Sequence, residues 1–213
     1  MKITLVSVAT ALVFLMGVHG HPQPQKDFDL QRFAGKWYRV GLAYDSPGFV
    51  PYRDKLRVSM GMLTPQTNGN VNLTMWSQRI LFNVHWTLPC CFRLPSDDSC
   101  LQCSSGCRSK LYTYEKTATP GAFTYFSTRH NKEKDITVVE TNYNQYALVL
   151  KHKNMDREYT QVALYGRSQK LKPDVLQKFR DFATSQGFPK DAIMTPTLTE
   201  NCPPSKHKTR RTS

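Results

Sequence analysis

Cysteine is absent from Met1 through Pro89, and all six cysteines fall between Cys90 and Cys202. No thiol in the long N-terminal stretch can therefore serve as nucleophile or metal ligand. Long hydrophobic runs are equally scarce. After Ile3 to Met16, no segment approaches the roughly 20 apolar residues a membrane-spanning helix needs. Metal-binding patterns are thin too: Cys100-x-x-Cys103 has no matching second pair at zinc-finger spacing, so no metal and no cofactor is expected. Acidic residues are outnumbered, 16 against 29 Lys and Arg, for a formal charge of +13. Yet no nucleic-acid-binding module accompanies that charge, and nucleic acid is not an expected partner.

What is present begins with Lys2 and the apolar run Ile3 to Met16, followed by the small residues Val18 and Gly20 ahead of His21. Residues 1–20 read as a secretory signal, which predicts a secreted, extracellular protein. Six cysteines in such a chain imply at least one disulfide, although spacing alone does not choose the partners. Asn72-Leu73-Thr74 is an N-glycosylation sequon, which requires Asn72 to face solvent. Lys206, Lys208, Arg210 and Arg211 crowd the C-terminus behind Pro203-Pro204. Residues 203–213 thus read as a disordered basic tail, ordinarily a solvated end, with weak binding of surface polyanions as its functional reading.

Between these ends lies an all-β pattern. A short helical turn over Asp29 to Phe33 leads into strands predicted at Trp37 to Leu42, Leu56 to Met62, Val71 to Trp76 and Lys110 to Glu115. Four more are expected at Ala122 to Ser127, Ile136 to Glu140, Tyr146 to Lys151 and Tyr159 to Tyr165, with the polar run His130 to Lys134 as a turn. Eight short strands suit an antiparallel up-and-down barrel able to hold one small ligand. The period then changes. Pro173 to Gln186 sets Val175, Phe179, Phe182 and Ala183 on one helical face, and Gly187 marks the stop, predicting one helix packed outside the barrel.

Three landmarks narrow this pattern: Gly35-Lys36-Trp37-Tyr38, then Thr141-Asn142-Tyr143, then Arg167 within Ala163 to Ser168. In that order and spacing they resemble the three signature regions of the lipocalin family. The resemblance implies that Trp37 closes the barrel's bottom with Arg167 across its indole face, Gly35, Thr141 and Tyr143 completing the signature. It also implies a domain spanning residues 21–202 that carries a small lipophilic molecule such as a fatty acid or retinoid. Further strings, including Val138 to Leu148 and Gln186-Gly187-Phe188, resemble the prostaglandin-D-synthase branch of that family. One departure is small, Asn142 standing where the family motif usually has Asp. From the same resemblance, Cys107 and Cys202 are expected to form the disulfide that ties the C-terminal segment to the barrel.

That branch uses a cysteine thiolate to open the endoperoxide of prostaglandin H2, and the ungapped match from Gly35 to Asn72 puts Ser59 at its position. A serine hydroxyl lacks the acidity and softness for that attack, and no His or Asp neighbours it in sequence. No catalytic residue is therefore expected, and a prostaglandin-H2 D-isomerase is the alternative to a carrier. If Asn72 faces out, Val71, Leu73 and Met75 face in, because strand neighbours alternate. The face of Ser59 is left open by counting. Arg57, Arg79, Arg108 and Lys110 are candidate partners for an anionic ligand head, each more ordinary as a solvated cation. Residues 80–102 fit no strand, with Cys90, Cys91, Cys100 and Cys103 in or beside them, and read as an insertion foreign to the barrel.

Overall fold

The computed structural model describes residues 22–44, 50–78, 107–128, 131–153, 159–198 and 202. The expected signal over residues 1–20, the segment 80–102 read as an insertion, Arg79, Cys90, Cys91, Cys100, Cys103 and the expected basic tail over residues 203–213 lie outside the described residues.

A one-turn helix α1 (Leu30–Phe33) precedes β1 (Gly35–Ala43), β2 (Ser59–Pro65), β3 (Val71–Gln78) and β4 (Cys107–Lys116). Then come β5 (Ala122–Ser127), β6 (Lys132–Thr141), β7 (Tyr146–Lys153) and β8 (Tyr159–Gly166). Helix α2 (Pro173–Ser185) and the two-residue β9 (Ile193–Met194) follow. Each of the first seven strands pairs antiparallel with the next, and β1 pairs with both β8 and β2, which closes the barrel; β9 adds to the edge of β1.

β4 starts at Cys107 rather than Lys110 and the short β9 is not among the expected strands, while β2 and β6 depart from the sequence reading for identifiable reasons. β2 starts at Ser59 rather than Leu56, because Val50–Lys55 coils into a 3-10 turn and Arg57 instead bridges to Thr197. β6 starts at Lys132, inside the run expected to be a turn. Its polar residues Lys132 to Asp135 pair with Ser127 to Thr124, so the hairpin turns at Asn131, whose φ is 48°. Polarity there reflects an exposed ladder end, not a loop.

Two apolar clusters occupy the two faces of the wall. Inside, Phe33, Trp37, Leu73, Phe123, Val138 and Val149 pack together. Outside, Val40, Leu148, Leu164, Val175, Phe179 and Ala183 join the barrel to α2. Pro173 occupies the first helical turn, where its missing N–H costs nothing. Val175, Phe179 and Ala183, four apart, form the buried stripe, while Phe182 is only partly covered. Burial of side chains the size of Val and Phe stabilises by roughly 1.5–3 kcal/mol each. Gly41 makes this docking possible. A Cβ there would come within 2.8 Å of the Phe179 ring and 2.9 Å of Leu164. Cys107, at the start of β4, is disulfide-bonded to Cys202 and so fastens the C-terminal segment to the wall.

Candidate ligand-binding cup

The bottom of the barrel is sealed by residues that the sequence signature marks. Gly35 takes a φ of 94°, a left-handed conformation that admits little but glycine, and turns the chain from α1 into β1. Trp37, 2% exposed, donates its indole N–H to the Phe33 carbonyl at 2.8 Å. The Arg167 guanidinium carbon stands 3.7 Å from the Trp37 ring centroid. Its nitrogens donate to the carbonyls of Ala34, Lys36, Arg32 and Tyr143 at 2.8–3.0 Å. Thr141 Oγ1 accepts from the Tyr143 N–H at 2.9 Å and donates to the Tyr146 carbonyl at 2.7 Å. The Tyr143 hydroxyl in turn accepts from the Asp29 N–H at 3.0 Å. α1, the β6–β7 turn and the end of β8 are thereby locked under the cup.

Above this floor lies a narrow cavity of about 30 Å³. Phe33, Trp37, Val71, Leu73, Ile136 and Val149 are among its walls, so its surface is almost wholly apolar. Val71 and Leu73 are buried on this inner face. Met75 is half-buried and packs against the same cluster. Asn72 points the other way, where its side-chain carbonyl accepts from the Thr113 hydroxyl at 3.2 Å.

Ser59 also faces inward. It stands directly opposite Arg39 on β1, and Gly61, next on the same face, looks onto Leu73 and Met75. Val58 and Met60 take the outward positions. Ser59 is 1% exposed, and its hydroxyl has no hydrogen-bond partner among the described residues.

The charge inside the cup is a residue that sequence reasoning missed. Lys151 of β7 lines the cavity and donates to the Tyr165 hydroxyl at 3.1 Å and the Tyr114 hydroxyl at 3.4 Å. No carboxylate pairs with it among the described residues. Burial pushes the Tyr114 phenol up to about 12, against the pull of the Lys151 ammonium. Burial alone would lower Lys151, but its electrostatic attraction to Tyr114 and Tyr165 outweighs that and raises it. Tyr165 moves down, because Lys151 and Arg39 outweigh its own desolvation. The result is a persistent ammonium aimed into an oily pocket.

The cations singled out from sequence take other places. Arg57 is exposed and bonds the carbonyls of Asp54 and Leu56. Arg108 and Lys110 lie opposite Ser77 and Met75, on inward register positions but exposed towards the open end. Among the described residues no three His, Cys, Asp or Glu side chains converge as a metal site, and no helix is long and apolar enough to cross a membrane.

A closed antiparallel barrel with a sealed floor, an outer helix and one apolar cavity defines a small-molecule binding cup. The chain belongs to the lipocalin family. A lipocalin from Rhinella marina is 32% identical over 203 residues, covering 95% of this chain and 98% of that one. The model of the lipocalin / cytosolic fatty-acid binding protein family matches residues 95–200. The prostaglandin-H2 D-isomerase of Canis lupus familiaris is 28% identical over 180 residues, covering 84% of this chain and 82% of its own. Among solved structures, the siderocalin Ex-FABP, titled as acting through dual ligand specificities, superposes with a TM-score of 0.61 at 23% identity. That likeness spans 80% of this chain and 97% of that one, and speaks to the fold.

Proposed function

We propose that this protein is a secreted, glycosylated carrier for one small lipophilic acid, such as a fatty acid or a retinoid acid. Its hydrocarbon body lies against Val71, Leu73 and Val149, and its carboxylate rests on Lys151, Tyr114 and Tyr165. The observation that carries this reading is Lys151: an ammonium inside an apolar cavity with no carboxylate of the described chain to pair with. Each Å² of apolar ligand surface removed from water contributes about 25 cal/mol. A charge-assisted hydrogen bond adds roughly 1.5–3 kcal/mol and selects the head group. The test is titration with hexadecanoic acid and with hexadecanol, in wild type and Lys151→Met. The carrier reading expects the acid to bind tighter in wild type and the preference to vanish in the variant. Equal binding of acid and alcohol in wild type would refute it.

The isomerase reading draws on the likeness to prostaglandin-H2 D-isomerases, with Ser59 at the position of their nucleophile. Against it stands the Ser59 hydroxyl itself, buried without a base beside it. Incubation with prostaglandin H2 separates the two readings. Formation of prostaglandin D2 above buffer background by wild type, rather than only by Ser59→Cys, would establish enzyme over carrier.

A further inference from the structure

The strand register sorts charge across the barrel wall. Glu115, Glu133, Asp135 and Glu140 all take outward positions, next in sequence or across the ladder to residues of known face. Cations take inward ones. Arg39 lies directly opposite Ser59 on β2 and Tyr165 on β8, and Tyr165 lines the cavity, so Arg39 shares the inner face with both. Above it, Arg108 and Lys110 occupy inward positions at the open end. No carboxylate of the described strands faces the interior to balance them.

Arg39 and Lys151 are close enough to feel one another. The Arg39 charge works against the Lys151 ammonium, helps to draw down the Tyr165 phenol and opposes the burial that raises Tyr112. Neither cation has a carboxylate partner among the described residues. Two like charges facing one weakly polar space repel, and one bound monoanion compensates only one of them. Beside Arg39 sits a second unfinished group, the buried Ser59 hydroxyl, which lacks an acceptor. A buried hydroxyl without a partner costs free energy that a ligand oxygen would recover.

We propose that the cup selects a lipophile whose head carries two negative charges. One set of acidic oxygens lies on Lys151 with Tyr114 and Tyr165, and the other on Arg39 with the Ser59 hydroxyl donating to it. This rests on the carrier reading and names its ligand class: an apolar body with a dianionic head, such as a vicinal dicarboxylate. The rim cations Arg108 and Lys110 add a long-range attraction for the same charge at the entrance.

Isothermal titration with dodecylsuccinate and its monomethyl ester, at about pH 8 where both free carboxyls are ionised, provides the test. The two probes share one body and differ by one charge. In wild type the diacid binds at least about tenfold tighter than the monoester, as one extra charge-assisted contact requires. In Arg39→Gln that ratio falls towards one, and in Ser59→Ala it falls several-fold. Near-UV circular dichroism of each variant reports that the barrel is intact. If the monoester binds wild type and weakens in Lys151→Gln, while the diacid binds no tighter than the monoester, the dianion proposal is overturned and the carrier reading stands. If Lys151→Gln leaves both probes unchanged, the carrier reading falls and the proposal falls with it.

Discussion

The guanidinium of Arg167 lies 3.7 Å over the indole of Trp37 while its nitrogens reach carbonyls on α1, β1 and the β6–β7 turn. One side chain therefore joins the first and last thirds of the chain beneath the cavity. Stacking of this partly exposed guanidinium on the buried ring contributes about 1–2 kcal/mol, and the hydrogen bonds add to that.

Arg167→Ala is expected to destabilise the fold by roughly 2–4 kcal/mol, since it removes the ring contact and leaves several carbonyls without donors. Arg167→Lys recovers only a minor part, because one ammonium cannot span the carbonyls that a planar fork reaches. Urea denaturation followed by tryptophan fluorescence measures both. An Arg167→Lys midpoint equal to wild type would mean that charge alone, not the fork, seals the floor.

Ligand binding has a predictable dependence on pH. Lys151 is held above its ordinary value, so the ammonium persists through the neutral range. Affinity for a long-chain monocarboxylic acid is expected to be flat between about pH 6 and about pH 8. It falls only below about pH 5, where the ligand carboxyl takes up its proton. Fluorescence titration across that range checks this. A loss of affinity between pH 7 and pH 8 would show that Lys151 titrates there.

The outer helix carries its own pH signature. Lys178 of α2 donates to the Glu140 carboxylate at 2.6 Å, and the Tyr146 hydroxyl donates to the same oxygen. Desolvation raises the Glu140 pKa, but the hydrogen bonds from Lys178 and Tyr146 outweigh it and set it below the ordinary 4.5. With the folded value below the unfolded one, this contribution is complete above about pH 4.5 and fades as pH falls through the folded value. The groups are about half exposed, which limits the stabilisation to under about 1 kcal/mol. Glu140→Gln should lower the urea midpoint at pH 7 and leave it nearly unchanged at pH 3. An equal loss at both values would assign the effect to packing.

Much of this barrel was readable in residue order. Turn residues, β-branched runs and the change to helical period at Pro173 located the eight strands and the helix. Trp37 and Arg167 marked the floor because their spacing is a family signature. The inner faces were legible only where a polar neighbour broke the symmetry, as Asn72 does between Val71 and Leu73. Lys151 was not. Its strand, Tyr146–Lys153, is apolar on both faces, Ala147 and Val149 facing the cup and Leu148 and Leu150 facing outward. Alternation carries no information in a strand buried on two sides. Arg39 stands two residues after Trp37 on an uninterrupted stretch of β1, so alternation from the signature tryptophan already points it inward, and the register with Ser59 and Tyr165 agrees.

The same register bears on residues 80–102. Gln78 and Cys107 are direct antiparallel partners at the ends of β3 and β4. Removing 80–102 would leave residue 79 and residues 103–106 to join them, within the roughly 2–5 residues that ordinary hairpin loops use. The deletion also keeps Cys107, and with it the disulfide to Cys202. A Δ80–102 chain is therefore expected to fold and to bind hexadecanoic acid with wild-type affinity, because none of the cavity-lining residues among those described is touched. Its midpoint in urea should equal or exceed that of the full chain, since shortening a loop lowers the entropy cost of closing it. Circular dichroism and fluorescence titration of the two chains decide the matter: loss of the fold or of ligand affinity on deletion would make the segment an integral part of the cup.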